Sequence, residues 1–400
     1  MRSKGSRVLV LLWILYTSYY LCRMHLPVAL PSIVIDLSTS YGELGIAVAL
    51  FYTAYSIGLV VNGALGTRAP LWVLMMAGGL SSGIISMFLP MVREPGLFTL
   101  LWGLNGYLQS FAWPSLVKLA SFVLSGKSAV KGYAYLSTSW SLGHALVWVF
   151  SIWLIGIAGW KTCFLVNGAL LALTATTIPL QLRRIQPTTE ETRGPIDHAM
   201  GLKFLVIYTI LVSIMHSASY GARNLLITYL PSYLEEASGS MISSVVLPLM
   251  GSIGMILVAP LFTLGEKSRG PIVSAGLLLT TALLLWLFPR AYIVNVAVGL
   301  LVLGILSAIV YGNEAQLTTS IPVAASGRKL SSLIAGIVDS AGSLGAAIAG
   351  AIGGLCMEKG AEGFVEALDI WSLVLIAITP LGLVASSILA QRRSSISPLE

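Results

Sequence analysis

Arg23 and Arg223 are the residues around which chemistry can be built. Residues 20–31 read YLCRMHLPVALP and residues 220–231 read YGARNLLITYLP. Both fit Y-x-x-R-x7-P, and the Tyr, Arg and Pro of the second copy each lie 200 positions after those of the first. Each arginine interrupts a long apolar run. A charged side chain at such a depth costs roughly 2.5–3.5 kcal/mol on insertion scales, so its presence needs a use. Facing each other across a water-filled cavity, the two guanidinium groups would bind one anion, because a planar fork holds a phosphate or carboxylate bidentately and stays charged. The alternative is that each arginine pairs with an acid in its own half or snorkels to an interface.

Other side chains share these runs. Tyr16, Tyr20 and Arg23 are spaced i, i+4, i+7 and lie on one helix face, which would give hydroxyl donors without added charge. Tyr55, in AYSIGLVVNG, would approach the same place. Tyr19 lies off that face and reads as a member of an interfacial aromatic belt. Asn105 and Gln109, at i and i+4, either line a path or bond neighbouring helices. Lys118 is either a charge near the cavity or a lysine snorkelling to the inner surface. Glu314 and Asp339 lie in apolar segments; they serve as proton relays or pair with Arg223 or another base. His25 and His216 read as packed side chains.

The elements that must position these residues are membrane helices. The chain has 400 residues, of which 56% are hydrophobic and only 10% charged; its mean hydropathy is +0.88. A soluble domain would carry about a quarter charged residues. A span needs about 20 apolar residues, and twelve candidates are centred near residues 21, 54, 80, 110, 145, 171, 217, 252, 280, 304, 343 and 380. The start, MRSKGSR, resembles the basic region of a signal peptide, but the apolar run after it is too long and lacks a small-residue cleavage site, so an uncleaved first span is expected. The polar segment RRIQPTTEETRGPIDHAMG, 183–201, divides the chain into an N-terminal six-helix bundle (1–182) and a C-terminal one (202–400). Of the 23 Lys and Arg residues, sixteen fall on one set of ends and loops. Arg93, Lys161, Arg290 and Lys359 fall on the other, and Arg23, Lys118 and Arg223 lie within spans. This asymmetry places both termini in the cytoplasm of a multi-pass cell-membrane protein.

The net charge of +7 is spread singly or in pairs at the ends of apolar runs, which excludes a nucleic-acid patch. Cys22, Cys163 and Cys356 have no paired spacing and read as small packing residues; neither a metal site nor a cofactor is expected. GGLSSG, 78–83, contains G-x-S-x-G. It lies inside an apolar span without the strand–turn–helix context of an esterase, and no P-loop is present to drive transport with ATP. A membrane-embedded enzyme is the remote alternative. The glycine-rich GIVDSAGSLGAAIAGAIGGL is expected to allow close helix packing.

Two six-helix halves around a central site form the architecture of the major facilitator superfamily. Within it, YTSYYLCR, continuing to Pro27 and Pro31, resembles the first span of the organophosphate:phosphate antiporter family, which includes glycerol-3-phosphate and hexose-phosphate transporters. NGYLQSFAWPSLVKLA, 105–120, resembles that family's fourth span, G-x-x-Q-x-x-x-W-P with a basic residue four positions on, through Gly106, Gln109, Trp113, Pro114 and Lys118. RNLLITYLPSYLEE, 223–236, resembles its seventh span; YGN, 311–313, and GIVDSAGSLG, 336–345, are looser matches to spans ten and eleven. The resemblance implies a secondary carrier with no cofactor. It would move a small organic anion, most often an organophosphate exchanged for inorganic phosphate, by alternating access. Arg23 and Arg223 would clamp the phosphate, Tyr16, Tyr20 and Tyr55 would line the cavity, and a monomer would suffice because the repeat supplies both halves.

Departures from the family are specific. Leu59 stands where glycerol-3-phosphate transporters carry a lysine. The fifth-span histidine is replaced near Trp140 and Ser141; His144, about one turn on, is either a substrate ligand or a packed or capped residue. In GALGTR, 63–68, Thr67 replaces the acid of G-x-x-x-D-R. If Glu314 and Asp339 carry protons, the alternative is proton-coupled uptake of an organic carboxylate such as a hexuronate.

Overall fold

The computed structural model describes residues 2–66, 68–123, 127–184, 202–262, 269–318 and 320–396, and among them regular structure is entirely helical. The α-helices are α1 (Arg2–Leu21), α2 (His25–Asp36), α3 (Tyr41–Leu65), α4 (Leu71–Phe88), α5 (Pro95–Gln109), α6 (Ala112–Ser121), α7 (Lys127–Leu182), α8 (Leu202–Ser238), α9 (Val246–Val258), α10 (Gly270–Val294), α11 (Val296–Leu317), α12 (Ser320–Met357), α13 (Ala361–Ile378) and α14 (Pro380–Ile396).

Ten helical stretches among the described residues are long and apolar enough to cross a bilayer. Two more crossings follow from geometry. α7 has 56 residues, about 84 Å at 1.5 Å per residue, far more than the ~30 Å hydrocarbon core. Gly159 interrupts it with φ 78° and ψ 166°, a conformation open essentially to glycine alone, so α7 is two spans. α5 and α6, with 15 and 10 residues, are each too short to cross; in succession they form one broken span. Divided in this way, the described helices fit the twelve spans expected. Replacing Gly159 with alanine is expected to cost roughly 1–3 kcal/mol, seen as a lower melting temperature in detergent.

Two breaks share one cause. A proline lacks the N–H that would bond the carbonyl four residues back, and its ring clashes with that carbonyl. Pro27 stands four residues after Arg23, where α1 gives way to α2; Pro114 stands four residues after Ser110, where α5 gives way to α6.

The chain divides into two compact units: Met1–Thr192 with Thr228–Pro248, and Arg193–Ile227 with Leu249–Glu400. Most of the expected linker, residues 185–201, lies outside the described residues. Glycines set the helix spacing inside each unit, as small residues do where no water drives association. In the first, a Cβ on Gly83 of α4 would lie 2.6 Å from the Gly168 carbonyl oxygen of α7, and one on Gly168 would lie 2.6 Å from that of Gly83. In the second, a Cβ on Gly345 of α12 would lie 2.0 Å from the Ser217 oxygen of α8. The G-x-S-x-G of α4 is thus a packing seam: Gly79 admits the Tyr19 ring and Ala175, and Gly83 admits α7.

Candidate functional site

The break before Pro27 places Arg23 in the turn joining α1 to α2. Broken backbone in a membrane must have its carbonyls satisfied by other protein groups, since each orphan costs several kcal/mol. Side chains from neighbouring helices do this. Gln109 Nε2 donates to the Tyr19 oxygen at 3.1 Å, Asn105 Nδ2 to the Cys22 oxygen at 2.9 Å, and Trp148 Nε1 to the Met24 oxygen at 3.0 Å. Gln109 Nε2 also donates to Ser82 Oγ at 2.8 Å, and Ser82 Oγ donates to Asn105 Oδ1 at 2.6 Å. Asn105 and Gln109 therefore bond neighbouring helices, the second of the two roles their spacing allowed.

This network carries Arg23. Its Nη2 donates to Gln109 Oε1 at 3.3 Å, and the residue is 4% exposed. The guanidinium carbon lies over the rings of Tyr55 at 4.4 Å, Tyr20 at 5.1 Å and Phe51 at 5.7 Å, so cation–π attraction offsets part of its desolvation. Tyr16 packs edge-on to Tyr20 with centroids 5.5 Å apart and against Trp113 at 4.9 Å. Among the described residues no carboxylate pairs with Arg23, and its Nε has no hydrogen-bond partner. Arg23 is thus a fully charged group held by an amide and aromatic rings. Replacing Gln109 with leucine removes the acceptor of Arg23 Nη2 and leaves the Tyr19 carbonyl with its backbone bond from Cys22 N alone; a loss of about 1–3 kcal/mol is expected, again read from thermal unfolding in detergent.

Arg23, Tyr16, Tyr20, Tyr55 and Gln109 are therefore brought together. Lys118 and His144 stand elsewhere. Lys118 Nζ donates to the Gly66 oxygen at 2.7 Å, capping the C-terminal end of α3 where a cation is favoured. Thr67, beside it, lies outside the described residues. His144 is buried edge-on to Trp148 at 4.2 Å, on the tryptophan that satisfies Met24. Tyr19 corrects its reading as a belt residue: it is 0% exposed and its hydroxyl donates to the Met75 oxygen, because Gly79 leaves room for the ring. Ser82 and Phe51 were missed. Phe51 was legible as the residue one turn before Tyr55; Ser82 carried no local signal. Cys22, Cys163 and Cys356 are free thiols.

The second unit repeats the arginine with a different partner. The counterpart of Pro27 is Ile227, so α8 runs unbroken past Arg223. Arg223 Nε lies 2.8 Å from Glu314 Oε2, with both side chains buried. Its guanidinium carbon lies 4.2 Å from the Tyr220 centroid and 5.0 Å from that of Tyr311. Arg223 therefore has the acidic partner within its own half that the alternative reading required. Asp339 Oδ1 lies 3.9 Å from His216 Nε2.

Comparison with known proteins agrees with this architecture. The family model described as Major Facilitator Superfamily matches residues 12–349. Among curated relatives, a probable hexose phosphate transport protein of Chlamydia pneumoniae is 29% identical over 164 residues, 41% of this chain and 36% of that one. The membrane sensor protein UhpC of Escherichia coli is 24% identical over 176 residues, 44% of this chain and 40% of that one. The matched stretch thus spans well under half the length of these relatives. Among solved structures, a bacterial homologue of the human lysosomal transporter Spinster superposes with a TM-score of 0.76 over 97% of this chain and 98% of that one, at 14% identity. The nucleoside transporter NupG gives 0.64 over 96% of this chain and 98% of that one, at 12% identity. With apolar spanning helices, the repeated arginine and this match across most of its length, the chain is a multi-pass membrane protein of the Major Facilitator Superfamily.

Proposed function

We propose that the chain is a secondary carrier of the sugar-phosphate type, exchanging a phosphate-bearing organic anion for inorganic phosphate by alternating access. It would lie in the cell membrane with both termini cytoplasmic. The observation that carries this reading is Arg23: a buried guanidinium with no acidic partner among the described residues, held by Gln109 and set among tyrosines. An uncompensated charge in that setting is costly unless an anion uses it. The names of the Chlamydia relatives support phosphate as the anionic group.

The test is exchange of labelled inorganic phosphate by the purified chain in phosphate-loaded liposomes, competed by glycerol phosphate, hexose phosphates and glucuronate. Saturable exchange blocked best by a hexose phosphate supports the reading. Uptake of glucuronate without phosphate exchange overturns it in favour of a carboxylate carrier. The likeness to a protein named a membrane sensor favours a second reading, in which the chain binds the sugar phosphate without moving it; binding without exchange would decide for that one.

A further inference from the structure

The second unit gathers four titratable groups that phosphate exchange at Arg23 leaves unused. Arg223 Nε is 2.8 Å from Glu314 Oε2, and His216 Nε2 is 3.9 Å from Asp339 Oδ1. His216 and Arg223 stand on α8 at i and i+7, sharing a face; Glu314 comes from α11 and Asp339 from α12. Glu314 is 3% exposed, and its Oε1 has no hydrogen-bond partner among the described residues. Among the described side chains, the other elements around α11 add no competing charge. α9 has no charged residue, and the charge within α10, Arg290, is held by both carboxylate oxygens of Asp369 at 2.9 and 2.8 Å. The side chains of Arg328 and Lys329 on α12 lie outside the described ones.

The charge count decides what this cluster can bind. With both acids ionised and His216 neutral, one positive charge faces two negative ones among these four described side chains. An anion cannot take Arg223 while Glu314 holds it, because three negative groups would then share one cation away from water. A proton from solvent on Glu314 removes the competing carboxylate and frees the arginine. We infer that anion binding at Arg223 is proton-linked through Glu314: the anion takes the guanidinium as the carboxylate takes one proton, and the proton leaves when the anion does. The identity of the anion rests on the phosphate reading; the linkage does not.

The test uses the full chain in detergent, weakly buffered at about pH 8, where phosphate is already close to a dianion. A pH-sensitive dye reports protons taken up as inorganic phosphate, and separately glucuronate, is added. Wild type is expected to take up about one proton per anion bound, and its affinity to fall as pH rises, by up to about tenfold per unit. Glu314→Gln should bind with no proton uptake and a flat pH profile, and Glu314→Asp should retain the uptake. Equal proton counts and pH slopes in wild type and Glu314→Gln would overturn the linkage and leave phosphate exchange standing. Proton uptake with glucuronate but not phosphate would keep the linkage and sink the phosphate reading.

Discussion

Arg23→Ala is expected to lower phosphate exchange by about a hundredfold or more while leaving the protein folded. One charge-assisted hydrogen bond is worth about 1.5–3 kcal/mol, and tenfold corresponds to about 1.4 kcal/mol. A guanidinium that makes two such bonds in a buried site accounts for two decades. Stability should move little or rise. Among the described residues Arg23 has no acid partner to strand, and removing it relieves a buried charge at the expense of one bond to Gln109 Oε1. Arg23→Lys should lose roughly tenfold, because a point charge lacks the fork and stacks poorly over Tyr20 and Tyr55. Exchange and thermal unfolding, measured on the same preparations, check both halves of the expectation. Wild-type exchange by Arg23→Ala would remove the basis of the proposed function.

Gly106→Ala is expected to be the most damaging single-carbon change near the site. The added Cβ would lie 2.1 Å from the Phe51 carbonyl oxygen and 2.8 Å from its carbonyl carbon and Cα. These are backbone atoms of α3, so no rotamer relieves the clash, and α3 and α5 must part. Overpacking costs about 1–3 kcal/mol and occasionally more; contact with rigid backbone places this case at the upper end. Parting also draws Phe51 and Tyr55 away from Arg23, so exchange should fall along with the melting temperature. Gly156→Ala is the control: nothing lies within 4 Å of its added Cβ. Its stability and exchange should stay near wild type. If Gly106→Ala behaved the same, the close approach of α3 and α5 would not be what holds the aromatic residues on Arg23.

The all-helical, membrane-spanning fold was legible because apolar runs of spanning length are a local property. So was the repeated Y-x-x-R-x7-P. The break at Arg23 was also present in the sequence, since Pro27 cannot bond the carbonyl four residues back, and its absence at Arg223 follows from Ile227. The glycines of 336–357 announced close packing, and Gly345 meets the α8 backbone.

What the tertiary structure decided is which side chains meet across helices. Periodicity places Tyr19 on a face but does not say what lies opposite; the missing side chain of Gly79 on α4 turns that face inward. The G-x-S-x-G string and the basic residue of the W-P motif likewise took their roles, a packing seam and a cap on Gly66, from neighbours far along the chain. The deepest case is the pair of arginines. Alike in sequence, Arg23 meets an amide on α5, 86 positions away, and Arg223 meets a carboxylate on α11, 91 positions away. Helix spacing reaches only a few residues, so it determined that both charges lie in the membrane. Packing between helices alone decided that, among the described residues, the first meets no carboxylate and the second meets one.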